Sequence, residues 1–328
     1  MRAAIIGAGL QGARRANALM REGSTVSAVV DLVPEAAQKL ASQTGAQVAA
    51  SWQEAVKRDD VDIVIVCTPP NLHEPIAVAA AQNGKHCLVE KPLARTVAEA
   101  ERMVAAARAA GTVLKCGFNL RNHPVMQQIK SWVDAGEIGE LFYIRGRYGT
   151  GGRPGYDQEW RAKPEISGGG QLMDQGIHLI DLARWFLGEF PTVEGSLGTY
   201  FWQVQPLEDN AFMTLNTATG QTAFLHASWT QWKPIFSFEV TGRAGYVTAE
   251  GLGGAYGPAV ATLSHMDMMA PFSEHTIEYR GEDRSWVNEW AEIVAAVNEK
   301  REPSGSGVDG LEAVRIAETL YKQKAAGR

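Results

Sequence analysis

Arg2-Ala3-Ala4-Ile5-Ile6-Gly7-Ala8-Gly9-Leu10-Gln11-Gly12 decides how the first part of this 328-residue chain folds. The apolar run after Arg2 suits a strand buried on both faces, as in a parallel sheet. The glycines behind it have the G-x-G-x-x-G spacing, and helix-forming residues start at once. In that setting the first glycine permits a tight turn, the second lets backbone approach a diphosphate, and the third lets helix and strand pack closely. The helix N-terminus then faces the phosphates with free N–H groups and partial positive charge. Gly7, Gly9, Leu10, Gln11 and Gly12 are therefore candidate dinucleotide-binding residues.

Asp31 strengthens that reading. It ends the apolar run Ser27-Ala28-Val29-Val30-Asp31, about 20 residues past the motif, where a carboxylate accepts from the adenosine 2′-hydroxyl and repels a 2′-phosphate. Leu32 and Val33 offer no guanidinium to reverse the preference. NAD is expected rather than NADP.

Outward from the motif, strand candidates at 3–6, 26–30, 62–66, 86–89 and 112–116 alternate with helical stretches at 10–22, 34–43, 72–83 and 96–110. That alternation predicts α/β architecture, an N-terminal doubly wound parallel sheet with crossover helices, over residues 1–118. The pattern changes in 119–328. A helix at 122–135 and a strand at 141–148 lead into a Gly/Arg/Tyr-rich loop, Gly149 to Gly170. An amphipathic helix over Leu172 to Phe186 follows. Val193 to Tyr279 reads as successive strands of a largely antiparallel sheet, and helices at 284–299 and 308–325 close the chain. The second domain is expected to be α+β.

Composition narrows the function classes. Hydrophobic residues make up 45% and charged ones 21%, as in an ordinary globular protein. The net charge of −6 carries no dense Lys/Arg block, which argues against nucleic acid. No apolar run is long enough to span a bilayer, and the N-terminus enters a strand directly rather than a signal sequence. Cys67, Cys87 and Cys116 sit in or beside apolar runs without metal-ligand spacing. A reduced, cytoplasmic protein with no metal and no membrane partner is expected.

Two further groups bear on chemistry. Glu90-Lys91-Pro92 follows the run Cys87-Leu88-Val89, at the carboxyl edge of a central strand, where open α/β sheets place ligands. Lysine there can polarise a carbonyl or hold an alkoxide. In Gly168-Gly169-Gly170-Gln171-Leu172-Met173-Asp174-Gln175-Gly176-Ile177-His178, Asp174 and His178 are four apart and share a face of an α-helix. A lone histidine on such a helix is more often a core residue. A carboxylate one turn earlier can orient the ring and stabilise its protonated form. Alcohol oxidation needs a hydride acceptor, a base and a cation near the developing alkoxide; histidine, with a pKa of about 6.5, suits the second role.

With Thr68-Pro69-Pro70-Asn71-Leu72-His73 and Gly117-Phe118-Asn119-Leu120-Arg121, these motifs resemble, in family order, the glucose–fructose oxidoreductase, inositol dehydrogenase and rhizopine-catabolism family. The resemblance implies Lys91, Asp174 and His178 as the catalytic group, with His178 as acid/base. It implies that Thr68, Pro69, Asn71 and His73 lie along the cofactor, with Glu90 and Lys91 near the nicotinamide ribose, and that Asn119 also contributes to cofactor binding. Asn119, Arg121, Tyr156, Trp160, Arg161, His226 and Trp229 fall in segments that line the substrate cleft of similar proteins. Such side chains suit a polyhydroxylated ring, although Arg161 could instead hold its loop closed and Trp229 could belong to the sheet core. The resemblance further implies a large open sheet serving a homodimer or homotetramer, and a last helix, about 308–325, that packs back on the first domain. Two rival readings of the same fold are an NAD-dependent redox-assisted glycosidase and a non-catalytic sugar- or NAD-responsive regulator. The Lys91/Asp174/His178 set weighs against the regulator.

Overall fold

The computed structural model describes residues 1–269 and 273–327, which divide into two compact units. The first comprises Met1–Asn119, Glu165–Gly168 and Trp286–Arg315; the second comprises Leu120–Pro164, Gly169–Ser285 and Ile316 onward.

In the first unit the elements run β1 (Arg2–Ile6), α1 (Leu10–Arg21), β2 (Thr25–Val30), α2 (Pro34–Thr44), β3 (Gln47–Val48), α3 (Trp52–Ala55), β4 (Ile63–Val66), α4 (His73–Gln82), β5 (His86–Val89), α5 (Val97–Ala110) and β6 (Leu114–Cys116). The six strands are parallel in the order β3-β2-β1-β4-β5-β6. Strand order reverses between β1 and β4, the switch point at which doubly wound sheets bind ligands. β4 is buried along its whole length, as a central strand covered on both faces must be. β3 and α3 have no counterpart in the sequence reading: two exposed strand residues and a four-residue helix carry no periodicity to detect.

Helix α9, Ser285–Glu299, contributes Trp290 and Ile293 to the core that holds Ile5, Leu19, Val29 and Ile63. The Trp290 indole N–H donates to Ser24 Oγ at 3.1 Å. The first unit thus draws on residues far beyond position 118.

Beyond β6 run α6 (Pro124–Asp134), β7 (Leu141–Gly149), the short α7 (Pro164–Ser167), a π-helical turn (Leu172–Gly176) and α8 (Ile177–Leu187). Then come β8 (Thr192–Gly198), β9 (Asn210–Asn216), β10 (Thr222–Ser228), β11 (Ile235–Gly242), β12 (Gly245–Glu250), β13 (Ala259–His265), β14 (Glu274–Tyr279), α9 and α10 (Gly307–Ala325). β7 to β14 form one sheet in the order β14-β13-β12-β11-β7-β10-β9-β8, antiparallel except for the β7/β10 pair. Burial alternates strictly along β11, so one face is packed and the other is open. On the packed face Gly146 lies so close to Leu179 of α8 that a Cβ would stand 3.3 Å from it. The open face carries Arg145, Arg147, Phe224, His226 and Glu239 around a shallow cleft. The expected fold class is the one observed.

Candidate functional site

In the first unit, the turn after β1 has the form a diphosphate requires. Gly7 adopts φ of +102°, and a Cβ there would stand 2.6 Å from the Cys67 carbonyl oxygen. Gly12 is closed to any side chain, since its Cβ would meet Gly7 O at 2.0 Å. Gly9 is the opposite case: nothing lies within 4 Å of its Cβ position, and no side chain caps α1 there. The backbone thus leaves open space at an uncapped helix N-terminus with no acidic residue in its first turn. Asp31 accepts from Ala8 N–H at 2.6 Å and from Val33 N–H at 2.8 Å, which fixes its carboxylate beside the glycine turn. Across the switch point, Thr68 Oγ1 is buried with no hydrogen-bond partner among the described residues. A cradle, an open cap and an unused hydroxyl fit a bound dinucleotide.

His73 and Glu90 are placed differently from the expectation. His73 is 1% exposed, with Nδ1 2.9 Å from Pro92 O and Nε2 2.9 Å from Thr68 O. Burial pushes its pKa down. The ring therefore ties the turn after β4 to the turn after β5 and faces no open space. Glu90 is also buried, accepting from Arg15 Nε at 2.8 Å. Arg15 is shared with Glu289 of α9, whose carboxylate is 3.7 Å from Lys115 Nζ. Side-chain exposure is 2% for Arg15 and 0% for Lys115 and Glu289. Burial opposes the Arg15 charge, but Glu289 and Glu90 outweigh it and raise the pKa. Two cations and two carboxylates thus brace the strand end from which Lys91, half-buried, follows. Sequence reasoning missed Arg15, Lys115 and Glu289, because they lie far apart in the chain and match no motif. Of the remaining expected cofactor residues, Leu10 is exposed, Gln11, Pro69 and Asn71 are half-buried, and Asn119 is buried.

The second unit corrects the expected helix at 172–186. Its first turn is π-helical, Leu172–Gly176, and α-helix begins only at Ile177. The cause lies at the glycine run. A Cβ on Gly170 would stand 2.2 Å from Glu208 O, and Gly170 N–H donates to Tyr321 Oη at 3.2 Å. Glu208 takes the Leu172 N–H at 2.9 Å and the Tyr321 hydroxyl at 2.8 Å. This carboxyl is fully buried, and burial raises its pKa. The extra residue in the turn alters the stacking expected from i, i+4 spacing; π-bulges of this kind occur often at functional sites.

Asp174 stands on that turn and His178 on the α-helix behind it. The His178 ring lies 6.0 Å from Tyr148, and Tyr148 lies 5.6 Å from Tyr256. Gln175 donates to Tyr256 Oη at 3.3 Å. Burial raises the pKa of Tyr148, Tyr156 and Tyr256, and the negative charge of Asp174 adds to the rise at all three; Tyr156 is pushed up to about 12. Asp174 is therefore within electrostatic reach of three phenols that stay protonated as hydrogen-bond donors, and His178, on the helix that follows, packs against one of them. Such a group can bind hydroxyls and exchange a proton. Tyr148 and Tyr256 were not singled out from the sequence; they come from a strand end and a 3₁₀ turn without a motif.

The other expected substrate residues separate. Arg121 is 4% exposed and makes a two-point ion pair with Asp181, at 2.8 and 2.6 Å, so its guanidinium is committed internally. His226 bonds Asn210 and stacks on Phe212 on the open sheet face, in register with Arg147. Tyr148, beside His178, occupies the alternate position on β7, so His226 points to the opposite side of the sheet. Trp229 is 1% exposed and stacks on Tyr156 with ring centres 4.7 Å apart, a core position. Trp160 and Arg161 stay half-buried, with the guanidinium 4.4 Å over the indole, and Arg161 pairs with Glu159. Among the described residues no group of three His, Cys, Asp or Glu could hold a metal, and no helix is long and apolar enough to cross a membrane.

Comparison with known proteins adds to this geometry. Residues 1–118 match the description "Oxidoreductase family, NAD-binding Rossmann fold", and residues 126–248 match "GFO/IDH/MocA C-terminal domain". The chain is 34% identical over 195 residues to levoglucosan dehydrogenase of Pseudarthrobacter phenanthrenivorans, covering 58% of this chain and 50% of that protein. It is 27% identical to inositol 2-dehydrogenase of Rhizobium meliloti, over 100% of this chain and 98% of the relative. A solved structure of levoglucosan dehydrogenase in complex with NADH and L-sorbose has the same fold, with TM-score 0.91 at 23% identity, covering 99% of this chain and 97% of that one.

Proposed function

The chain belongs to the Gfo/Idh/MocA family of oxidoreductases, and from that premise we propose that it transfers hydride between NAD and a carbinol carbon of a sugar, cyclitol or related polyhydroxylated ring. The observation that carries this reading is the π-helical turn that bears Asp174, followed by His178 packed against Tyr148, which in turn packs against Tyr256. Levoglucosan and inositol dehydrogenases among the relatives support a ring substrate.

When bound, the nicotinamide supplies the hydride acceptor. Residues Gly7 to Gly12 would hold the diphosphate, and Thr68 Oγ1 would offer its unused hydroxyl to the cofactor. Asp31, its carboxylate fixed by the Ala8 and Val33 N–H groups, would accept from the adenosine ribose hydroxyl and repel a 2′-phosphate, which favours NAD over NADP. Lys91 holds the reacting oxygen as it gains negative charge, and His178 takes its proton. Asp174 favours the imidazolium that results, and the tyrosines orient ring hydroxyls. The half-buried Trp160 and Arg161 line the same substrate. The open face of the second sheet is the surface through which a homodimer or homotetramer forms.

The test is NADH formation across inositols, aldoses, amino sugars and anhydrosugars, with Lys91→Ala and His178→Asn controls. Each variant is expected to lose at least about a hundredfold in kcat, the range typical of lost acid–base or electrostatic catalysis, while still binding NAD. Unchanged turnover in Lys91→Ala rejects its assigned role.

A further inference from the structure

An aromatic strip in the second unit runs from Tyr156, already assigned to the reacting group, out to side chains that the reaction does not use. It starts at Trp229 and Tyr156, the phenol that feels the Asp174 charge. It continues through Trp202, whose ring is 6.1 Å from Tyr156, to Phe201 at 5.1 Å and then to Trp232 at 5.0 Å. Exposure climbs along it, from 1% at Trp229 and 8% at Tyr156 to 56% at Phe201 and 67% at Trp232.

The exposed end is built, not loose. Asp209 has no exposed surface, and its carboxylate accepts from the N–H groups of Tyr200, Phe201 and Trp202 at 2.8 to 3.0 Å. The Trp202 indole N–H donates to Trp229 O at 2.9 Å, and a Cβ on Gly152 would stand 2.6 Å from that nitrogen. Gln231 N–H donates to Thr150 O at 3.1 Å, which anchors the residue before Trp232. Ordering two large side chains in water carries an entropic penalty that a ligand recovers only if they are already in place.

Phe201 and Trp232 meet at 80°, forming a corner of two ring faces. Gln203, Gln231 and Lys233 are their neighbours in the chain, so polar groups interleave with the aromatic ones. A corner with ring faces for C–H bonds, set in stretches of chain that also carry amide and ammonium side chains, matches a sugar ring better than an apolar protein surface.

We propose that Phe201 and Trp232 form a subsite for a second ring, so that the substrate is a glycoside, with the oxidised ring at Asp174 and His178 and its acetal-linked neighbour on the corner. This rests on the function proposed above. The test compares D-glucose with cellobiose, maltose and 4-nitrophenyl glucosides, in wild type, Trp232→Ala, Phe201→Ala and Trp232→Phe. NADH formation and ligand-induced tryptophan fluorescence are both read. The expected result is a glycoside preference in kcat/KM that falls about tenfold in the alanine variants, with the free sugar unchanged and Trp232→Phe close to wild type. Equal losses for free sugar and glycoside overturn the subsite, as does an absence of any glycoside preference. If no sugar is oxidised, the dehydrogenase reading fails by itself. Glycoside binding that disappears in Trp232→Ala then still supports the subsite, and the absence of glycoside binding overturns it. A variant that changes only the sedimentation of the assembly assigns the corner to a second copy of the chain and also overturns it.

Discussion

Glu289→Ala removes one of two carboxylates from a cluster shut off from water. Arg15, Lys115, Glu90 and Glu289 together carry no net charge, and the exposure of their side chains runs from 0% to 8%. Without Glu289 the cluster holds two buried cations against one carboxylate. Breaking a buried pair from one side destabilises by about 3 to 5 kcal/mol, because the stranded charge has no solvent to replace its partner. At roughly 2 to 4 °C per kcal/mol for a unit of this size, the melting temperature should fall by about 6 to 20 °C. Glu289→Gln keeps the shape and one acceptor, so its loss should be smaller. Because Arg15 also holds Glu90, the residue before Lys91, the alanine variant should lose turnover at temperatures where it remains folded. Thermal unfolding followed by circular dichroism, paired with NADH kinetics, measures both. A Glu289→Ala protein that melts within about 2 °C of wild type refutes the claim that this cluster braces the strand end.

The two nearby glycines should respond in opposite ways. Gly9→Val meets no neighbour and should leave the melting temperature almost unchanged while NAD affinity falls, whereas Gly12→Val collides with Gly7 O and should fold poorly; equal effects on stability would contradict the assignment. Asp31→Ala removes the carboxylate proposed to lie near the ribose, and a like-charge interaction near 4 Å of about 1 to 4 kcal/mol should vanish, so the NAD-to-NADP ratio in kcat/KM should fall by about fivefold or more; an unchanged ratio rules that role out. His73 and His123 have pKa values lowered by burial. Their contribution to stability is therefore complete above the ordinary histidine value of about 6.5 and is lost as pH falls through the lower folded values. A melting temperature that rises between about pH 7 and 5.5 would show the sign to be wrong.

The parts of this protein legible in its sequence are those set by local geometry. A strand, a glycine turn and a helix are specified by adjacent residues, so Gly7, Gly9, Gly12 and Asp31 were legible before any fold was known. The alternation of strands and helices needed only periodicity, and it failed at β3 and α3, which are too short to show one. Tertiary structure decided which polar residues face inward. Arg121, His73 and Glu90 look like ligand-binding residues in the sequence, but Asp181, two backbone carbonyls and Arg15 hold them. The π-helical turn under Asp174 likewise depends on Glu208 and Tyr321, which lie 34 and 147 residues away along the chain. Proximity in the sequence determines backbone conformation. The partner of a buried charge is chosen by whatever the fold brings within about 3 Å, because an unpaired charge away from water is too unfavourable to persist.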